Sequence, residues 1–307
     1  MSALPDRVFL GLPAPAKLNL FLHVTGRRSD GYHEIQSVFV PVDLCDTLDF
    51  RLRTDGVIDR KGDLTGPVDD DLAARAARLL QAQAAAHGGG ARALGADITV
   101  EKCIPVGAGM GGGSSDAATT LIALNRLWSL NLPRTVLQAL GRQLGADVPF
   151  FLGKGPAFAE GIGERCSPLS LPASWVVVIY PQVSVSTAEI FADPKLTRDS
   201  KGTTIAGFSA ALSAGEPGRE PAWIASRYGR NDLEPVARGR VAAIDAALRL
   251  LGQFGAARMS GSGSAVFCVC EGQAQALQAR ERLRALAPPE WSIWAAPTLE
   301  ELPLADW

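Results

Sequence analysis

Hydrophobic and other side chains alternate along KLNLFLHV, residues 17–24. The even-numbered positions are all aliphatic, and the odd-numbered positions carry the remaining side chains: Lys17, Asn19, Phe21 and His23. Because neighbouring side chains of a strand point to opposite faces, this pattern predicts a β-strand with one buried face. Residues 25–34, which follow, contain glycine, serine and aspartate and are predicted to form a loop.

Further strands are predicted wherever short apolar and β-branched runs occur. They cover residues 37–42, 46–52, 96–104 and 171–181, and the second half of 260–272, whose first half is a glycine-rich turn. Helical periodicity is present at residues 72–87, 114–128, 133–145, 241–252 and 274–287. The element order mixes helices with mainly antiparallel strands, which favours an α+β fold over a doubly wound parallel sheet.

The sequence also predicts how several of these elements begin and end. The helix at 114–128 is apolar nearly all round and therefore central, with Ser114 or Ser115 as its N-cap. After the helix at 133–145, residues 146–156 are predicted to form a loop and a short strand, with Val148 extended because a proline follows it. Residues 198–221, rich in Ser, Gly, Arg and Glu, are predicted to be a mobile loop.

Length and composition narrow the class of protein. The chain has 307 residues, and we expect two domains, residues 1–160 and 161–307. Its net charge of −2 gives no electrostatic reason to expect nucleic acid or an anionic membrane as a partner. No apolar run reaches the ~18 residues of a membrane span, and the five cysteines have no paired spacing typical of a zinc site. We therefore expect a cytoplasmic protein with reduced thiols and no obligate protein partner.

The segment PVGAGMGGGSSDAA, residues 105–118, lies between a predicted strand and a predicted helix. A glycine loop that leads into a helix exposes backbone N–H groups, which predicts a phosphate cradle. A P-loop would need Lys directly after the last glycine, where this chain has Ser114. The dinucleotide pattern Gly107-x-Gly109-x-x-Gly112 is matched, but it requires a second strand ending in an acidic residue about 20 residues later. A helix is predicted there instead.

These residues resemble the ATP loop of the GHMP kinases, the superfamily of galactokinase, homoserine kinase, mevalonate kinase and phosphomevalonate kinase. PAKLNLFLHV (15–24) and MSGSGSAVF (259–267) resemble two further motifs of that superfamily. Within it, the chain is most similar to the kinases of 4-diphosphocytidyl-2-C-methyl-D-erythritol, through residues 15–39, GADVPFFL (145–152), GIGE (161–164) and NDLEPVA (231–237). One departure is DDDL (69–72), where those kinases more often have Asn before the Leu.

The resemblance implies a two-domain fold with mixed and antiparallel sheets and an active site in the cleft between the domains. It implies that ATP, with Mg²⁺, phosphorylates the 2-hydroxyl of a cytidine-diphosphate polyol. Asp147 would accept the hydroxyl proton, and Lys17 would stabilise the reacting groups. The ATP-binding residues would be Pro105, Val106, Gly107, Ala108, Gly109, Met110, Gly111, Gly112, Gly113, Ser114 and Ser115, with the Ser115 hydroxyl as a candidate direct or indirect contact of Mg²⁺.

The resemblance also assigns residues to the second substrate. Tyr32 would stack on the cytosine, His33 would read its edge, and Phe191 would cover its other side. Asn19 would bind the polyol hydroxyls, Lys102 the diphosphate, and the backbone at Gly261 and Gly263 the substrate phosphates. Two alternatives remain: another GHMP kinase, for homoserine or mevalonate, and a nucleotide-binding protein without catalysis. The loop DGYHE (30–34) argues against the first, and the joint presence of Lys17 and Asp147 argues against the second.

Overall fold

Two β-sheets and nine helices make up the part of the chain that the computed structural model describes, residues 7–64, 66–86, 93–213 and 228–307. The strands are β1 (Val8–Arg27), β2 (His33–Arg53), β3 (Ile58–Gly62), β4 (Gly95–Glu101), β5 (Ala157–Gly161), β6 (Arg165–Pro168), β7 (Trp175–Tyr180), β8 (Arg258–Met259), β9 (Val266–Cys270) and β10 (Ser292–Pro297). The helices are α1 (Leu72–Ala86), α2 (Gly112–Leu127), α3 (Arg134–Leu144), α4 (Val148–Phe151), α5 (Thr187–Ala192), α6 (Ile205–Ser213), α7 (Glu234–Arg240), α8 (Ala242–Leu251) and α9 (Gln273–Leu286).

A long hairpin of β1 and β2 organises the first sheet. The two strands pair antiparallel from Val8↔Arg51 to Arg27↔His33. On its other edge, β2 pairs first with β5 and then with β4, and β3 and β6 extend the sheet on either side. The two strands predicted at 37–42 and 46–52 are therefore one strand, because pairing with β1 continues across Pro41, which lies opposite Lys17.

The second sheet is antiparallel, in the order β10-β7-β9-β8. The first sheet ends with β6 at Pro168 and the second begins with β7 at Trp175. The expected division into residues 1–160 and 161–307 falls inside β5, and it stays a prediction. Single β-bridges, Leu22↔Asn231 and Val42↔Thr298, join the two halves of the chain.

Helix α2 is central, as its composition predicts, and packs against α1 and β1. It is buried nearly all round, from Ser115 to Leu124. The predicted serine cap is wrong, because the helix begins at Gly112 and the N-cap is Gly111, which adopts the left-handed conformation with φ 72° and makes no side-chain cap. Ser114 and Ser115 consequently lie inside the first helical turn instead of ahead of it.

Two further predictions from the sequence need correction. Val148 is helical and not extended, because α4 begins there and Pro149 occupies an early helical position. A backbone N–H at that position would have no partner within the helix, so the proline removes no hydrogen bond. Part of the predicted loop at 198–221 is helix α6, while 214–221 lies outside the described residues. No described helix combines the length and the apolar character that crossing a bilayer requires.

Candidate active site

The glycine loop between β4 and α2 has an alternating backbone conformation. Gly107, Gly109 and Gly111 have φ values of 70°, 74° and 72°, in the left-handed region that glycine tolerates. The intervening residues do not have positive φ. Alternation of this kind turns successive N–H groups toward one side and forms an anion-binding concavity. The loop then enters α2, whose N-terminal end adds a partial positive charge.

The second glycine-rich turn, residues 260–263, packs directly on this loop. The Ser260 hydroxyl donates to the Gly109 carbonyl at 3.0 Å, and the Ala265 amide donates to the Ala108 carbonyl at 3.0 Å. The Asn231 side chain secures the turn from behind by donating to the carbonyls of Met259 and Gly261, both at 2.8 Å. The fold thus brings together two motifs that lie about 150 residues apart in the sequence.

Lys17 lies beside the glycine loop and forms an ion pair with Asp147. Their Nζ and Oδ2 atoms are 3.3 Å apart, and the Lys17 side chain is 5% exposed while that of Asp147 is 30% exposed. The Lys17 amide donates to the Met110 carbonyl at 2.9 Å, and its ammonium lies 4.5 Å from the centroid of Phe39. An enclosed ammonium beside a carboxylate that faces a cavity can take part in proton transfer and charge stabilisation.

Asn19 completes this polar group on β1. Its Oδ1 atom accepts a bond from the Lys17 ammonium at 2.6 Å, and its Nδ2 atom donates to the Ser37 hydroxyl at 2.9 Å. Both residues are almost fully buried, and Phe21 on the same face is buried as well. The prediction that β1 has one buried face is therefore wrong: the polar positions are buried too, and they are buried where the site requires polar atoms.

Lys102 joins two carboxylates that the sequence analysis did not single out. Its ammonium lies 2.5 Å from Asp46 Oδ2 and 2.7 Å from Asp116 Oδ2. Asp46 is fully buried, and its Oδ1 atom accepts bonds from the amides of Cys103 and Ile104 at 2.6 and 2.7 Å. We call Asp46, Lys102 and Asp116 the carboxylate–lysine cluster. It connects β2 to both ends of the glycine loop.

Burial shifts the protonation of this cluster. Desolvation raises the pKa of Asp116 to about 7, with Asp46 adding to the rise and Lys102 opposing it. Desolvation lowers the pKa of Lys102, but the two carboxylates outweigh it, so the net shift is upward. Among the described residues, Asp116 Oδ1 and the hydroxyl of Ser115 are buried polar atoms without a hydrogen-bond partner.

A cavity of about 530 Å³, which we call the loop cavity, lies in front of these groups. Residues 105–114 of the glycine loop line it, together with Lys17, Asn19, Lys102, Asp116, Asp147, Phe191 and Gly261. Of the predicted site residues, Ser115 and Gly263 are absent from its wall, and Tyr32 and His33 line a neighbouring cavity. Because residues of both halves contribute, the loop cavity lies in the cleft between them.

The segment DDDL (69–72), where the chain differs from the kinases that it resembles, also contributes to this cavity. Asp71 caps α1 by accepting from the Ala74 amide at 2.9 Å, and it lies 3.2 Å from the buried Arg60 guanidinium. Both side chains line the loop cavity. The carboxylate that replaces the more common Asn is therefore paired within the protein.

A second cavity, of about 730 Å³, opens beside the turn between β1 and β2, and we call it the hairpin cavity. Tyr32, His33 and Phe191 line it. The rings of His33 and Phe191 are stacked, with centroids 5.0 Å apart and planes at 26°, while Tyr32 is 60% exposed at the rim. Burial lowers the pKa of His33, and the charges of Arg198 and Arg27 lower it further.

The two cavities share one wall. The residues that line both are Ile35, Ala146, Ile162, Thr187 and Phe191. Asp147, which directly follows Ala146 in the sequence, lines the loop cavity. An anion cradle, an enclosed Lys–Asp pair and an aromatic cavity therefore follow one another along a continuous cleft.

Comparison with known proteins identifies the family. The profile described as "GHMP kinases N terminal domain" matches residues 71–155, and "GHMP kinases C terminal" matches residues 219–288. The chain is 50% identical to 4-diphosphocytidyl-2-C-methyl-D-erythritol kinase of Herminiimonas arsenicoxydans, over 97% of this chain and 98% of that protein. The chain belongs to the 4-diphosphocytidyl-2-C-methyl-D-erythritol kinases, a family of GHMP kinases.

Other comparisons agree with this membership. The kinase of the same name from Janthinobacterium sp. (strain Marseille) is 50% identical over 95% of this chain and 96% of its own length. A crystal structure of a 4-(cytidine 5'-diphospho)-2C-methyl-D-erythritol kinase superimposes with a TM-score of 0.74 at 36% identity, covering 95% of this chain and 99% of that one. A homoserine kinase structure from Cytophaga hutchinsonii, at 16% identity and a TM-score of 0.67, covers 98% of this chain and 97% of its own and shares the fold.

Membership of this kinase family confirms the predicted α+β fold. Four further residues of the candidate site were not singled out from the sequence: Asp46, Asp116, Ser260 and Arg198. Asp116 had a local signal, since it follows the paired serines of the ATP loop. Asp46 had none, because an acidic residue at the first position of the predicted strand 46–52 is ordinarily exposed to solvent.

Proposed function

We propose that this chain transfers the γ-phosphoryl group of ATP to the 2-hydroxyl of 4-diphosphocytidyl-2-C-methyl-D-erythritol, giving the 2-phosphate and ADP in the non-mevalonate route to isoprenoid precursors. The observation that carries the proposal is the Lys17–Asp147 pair at 3.3 Å on the wall of the loop cavity. The named substrate of its relatives, at 50% identity over nearly the whole chain, supports the choice of acceptor.

Phosphoryl transfer asks the protein mainly to position its substrates and to stabilise charge. The amides of the glycine loop bind the triphosphate, and the backbone at Gly261, which lines the same cavity, approaches the phosphates. Asp147 accepts the proton of the 2-hydroxyl while the hydroxyl oxygen attacks the γ-phosphorus and the bond to the β-phosphate oxygen breaks. Lys17 keeps Asp147 oriented and stabilises the negative charge that develops on the transferred group.

The base of the second substrate occupies the hairpin cavity. Tyr32 stacks on the cytosine, Phe191 covers it, and His33 reads its edge. Asn19 orients the polyol hydroxyls through an amide that is already held by Lys17 and Ser37. Lys102 contributes positive charge to the phosphates from within the carboxylate–lysine cluster. Homoserine and mevalonate have no base that could stack on the three aromatic rings of this cavity, which favours the cytidyl acceptor over those substrates.

Mg²⁺ fits the oxygen atoms beside the glycine loop. It is commonly held by one or two carboxylates together with substrate phosphates, so a cage made by the protein alone is not required. Asp116 Oδ1 is buried without a partner and belongs to a residue that lines the loop cavity, and the unpaired Ser115 hydroxyl lies next to it in sequence. Asp116 would hold the ion and Ser115 would contact it indirectly, and the ion would offset the charge of the triphosphate.

The test replaces Asp147 by Asn, which keeps the shape of the side chain and removes the base. We expect kcat to fall by at least ~10²-fold while the KM for ATP stays near that of the wild type. Asp245→Asn, at an acidic residue that pairs with Arg238 and Arg249 outside both cavities, is the matched control. Near-normal turnover in Asp147→Asn would remove this residue from the mechanism, and phosphorylation of mevalonate in place of the cytidyl substrate would overturn the choice of acceptor. The cytoplasmic location and the lack of an obligate protein partner stay predictions.

A further inference from the structure

Arg198 connects the ring of His33 to the helix that carries Phe191. Its Nε atom donates to His33 Nε2 at 3.1 Å, and its Nη2 atom donates to the carbonyls of Phe191 and Asp193 at 2.9 and 2.7 Å. Its Nη1 atom donates to the Leu196 carbonyl at 3.1 Å. Four hydrogen bonds from one guanidinium thus fix the position of the His33 ring relative to the end of α5, on the wall of the hairpin cavity.

This contact determines which nitrogen of His33 carries the proton. A guanidinium has only donors, so the Nε2 atom that faces it must be an unprotonated acceptor. A neutral imidazole with an unprotonated Nε2 carries its hydrogen on Nδ1. Burial and the nearby charges of Arg198 and Arg27 lower the pKa of the ring, which favours this neutral form at neutral pH. His33 therefore offers an N–H donor at Nδ1 and no acceptor on its ring.

A fixed donor distinguishes the two common pyrimidines. Cytosine presents an unprotonated N3, which accepts a hydrogen bond, whereas uracil presents an N–H at the same position. We propose that Arg198 is a positioning residue that holds His33 as the Nδ1-protonated tautomer and thereby makes the hairpin cavity select cytosine over uracil. This inference rests on the proposed function, because it takes the hairpin cavity as the place where the base of the substrate binds.

The experiment compares the cytidine substrate with its uridine counterpart in the wild type and in Arg198→Met. Methionine keeps an unbranched apolar stem and removes every donor, so His33 can exchange its tautomers and accept from uracil N3–H. We expect the ratio of kcat/KM for cytidine over uridine to fall about tenfold, as the loss of one well-placed hydrogen bond predicts. The change should come from the KM values of the two pyrimidine substrates, with that of the cytidine substrate rising and that of the uridine substrate falling, while kcat and the KM for ATP are little altered.

Two variants separate position from charge. Arg27 also lines the hairpin cavity and faces His33 across the β1–β2 hairpin. Among the described residues its side chain makes no hydrogen bond to the His33 ring, so Arg27→Met removes a nearby charge without freeing the ring. We expect the cytidine preference to be unchanged in Arg27→Met. Arg198→Lys keeps the charge and a single donor nitrogen, and we expect it to recover part of the preference lost in Arg198→Met.

The ring tautomer can be measured without any substrate. The chain has three histidines, so the ¹⁵N ring signals of His33 can be assigned as those lost in His33→Gln. We expect the proton on Nδ1 in the wild type and a mixture of tautomers in Arg198→Met. If the methionine variant does not fold, the wild-type spectrum and Arg198→Lys decide the question.

The outcomes separate this inference from the proposed function. Wild-type protein with its proton on Nε2, or an unchanged cytidine preference in Arg198→Met, would overturn the role of Arg198 alone. Wild-type protein that phosphorylates neither pyrimidine substrate would overturn the proposed function, and the selection of cytosine with it.

Discussion

At Gly109 the glycine loop and the turn at 260–263 approach so closely that no side chain fits between them. A Cβ atom at Gly109 would lie 2.3 Å from the Ser260 carbonyl oxygen and 3.0 Å from backbone atoms of Gly263. We expect Gly109→Ala to lower the free energy of unfolding in urea, both because alanine disfavours the left-handed conformation, by about 1–2 kcal/mol, and because the overlap with rigid backbone adds ~1–3 kcal/mol. The variant should also raise the KM for ATP.

Gly11 provides the control for the first of these two costs. Its φ of 67° is close to the 74° of Gly109, but a Cβ atom there would have nothing within 4 Å. Gly11→Ala should therefore show the conformational cost without the overlap. Equal losses of stability in the two variants would mean that the loop yields to the added methyl group, and that its shape does not depend on contact with the second turn.

Single residues could be predicted from the sequence where a motif surrounds them. Lys17 and Asp147 lie in segments that resemble family motifs, and the structure brings them within 3.3 Å of each other. Arg198 was predicted only as part of a mobile loop, because its role depends on contact with His33, 165 positions earlier in the chain. Sequence spacing carries no information about a contact of that kind.

At the scale of elements, strand β2 fixes the shape of the glycine loop through Asp46. This buried carboxylate accepts from the amides of Cys103 and Ile104 and pairs with Lys102, so it holds the entry of the loop. We expect Asp46→Asn to raise the KM for ATP about tenfold, because hydrogen bonds to a charged acceptor contribute about 1.5–3 kcal/mol each and the neutral amide weakens them. Steady-state kinetics should show a much smaller change in the KM for the cytidyl substrate.

Asp43 is the matched control on the same strand. It is exposed, and its Oδ1 atom accepts from the Cys45 thiol at 3.8 Å, so Asp43→Asn removes a charge without touching the loop. If the KM for ATP rose equally in both variants, the cause would be the change in net charge. A normal KM in Asp46→Asn would show that the loop keeps its shape without this carboxylate.

The elements that the sequence predicted well are those set by local signals. Pro133 and Gly145 flank α3 as expected, and α8 and α9 agree with their predicted ranges to within one residue at each end. The failures are non-local. Strand β2 continues across Pro41 because β1 pairs with it over its whole length, and β1 buries its polar face because other parts of the chain cover it. Neither pairing nor coverage can be read from the pattern of one segment.

At the scale of the whole molecule, the cleft contains two adjacent cavities that share one wall. The glycine loop lines the loop cavity alone, and Tyr32 lines the hairpin cavity alone. Tyr32 is the most exposed of the aromatic residues there, at 60%, so its loss should disturb little of the fold. We expect Tyr32→Ala to raise the KM for the cytidyl substrate about tenfold or more, since stacking of a base on an aromatic ring is worth ~1–3 kcal/mol.

The same variant should leave the KM for ATP unchanged, because Tyr32 does not line the loop cavity. Tyr32→Phe is the control, since it keeps the ring and removes the hydroxyl, and it should bind the cytidyl substrate as the wild type does. If Tyr32→Phe also raised the KM for the cytidyl substrate, the affinity would come from a contact of the hydroxyl and not from stacking. Equal effects on both substrates would mean that the two cavities are coupled through their common wall at Ala146 and Phe191 and cannot be treated as separate sites.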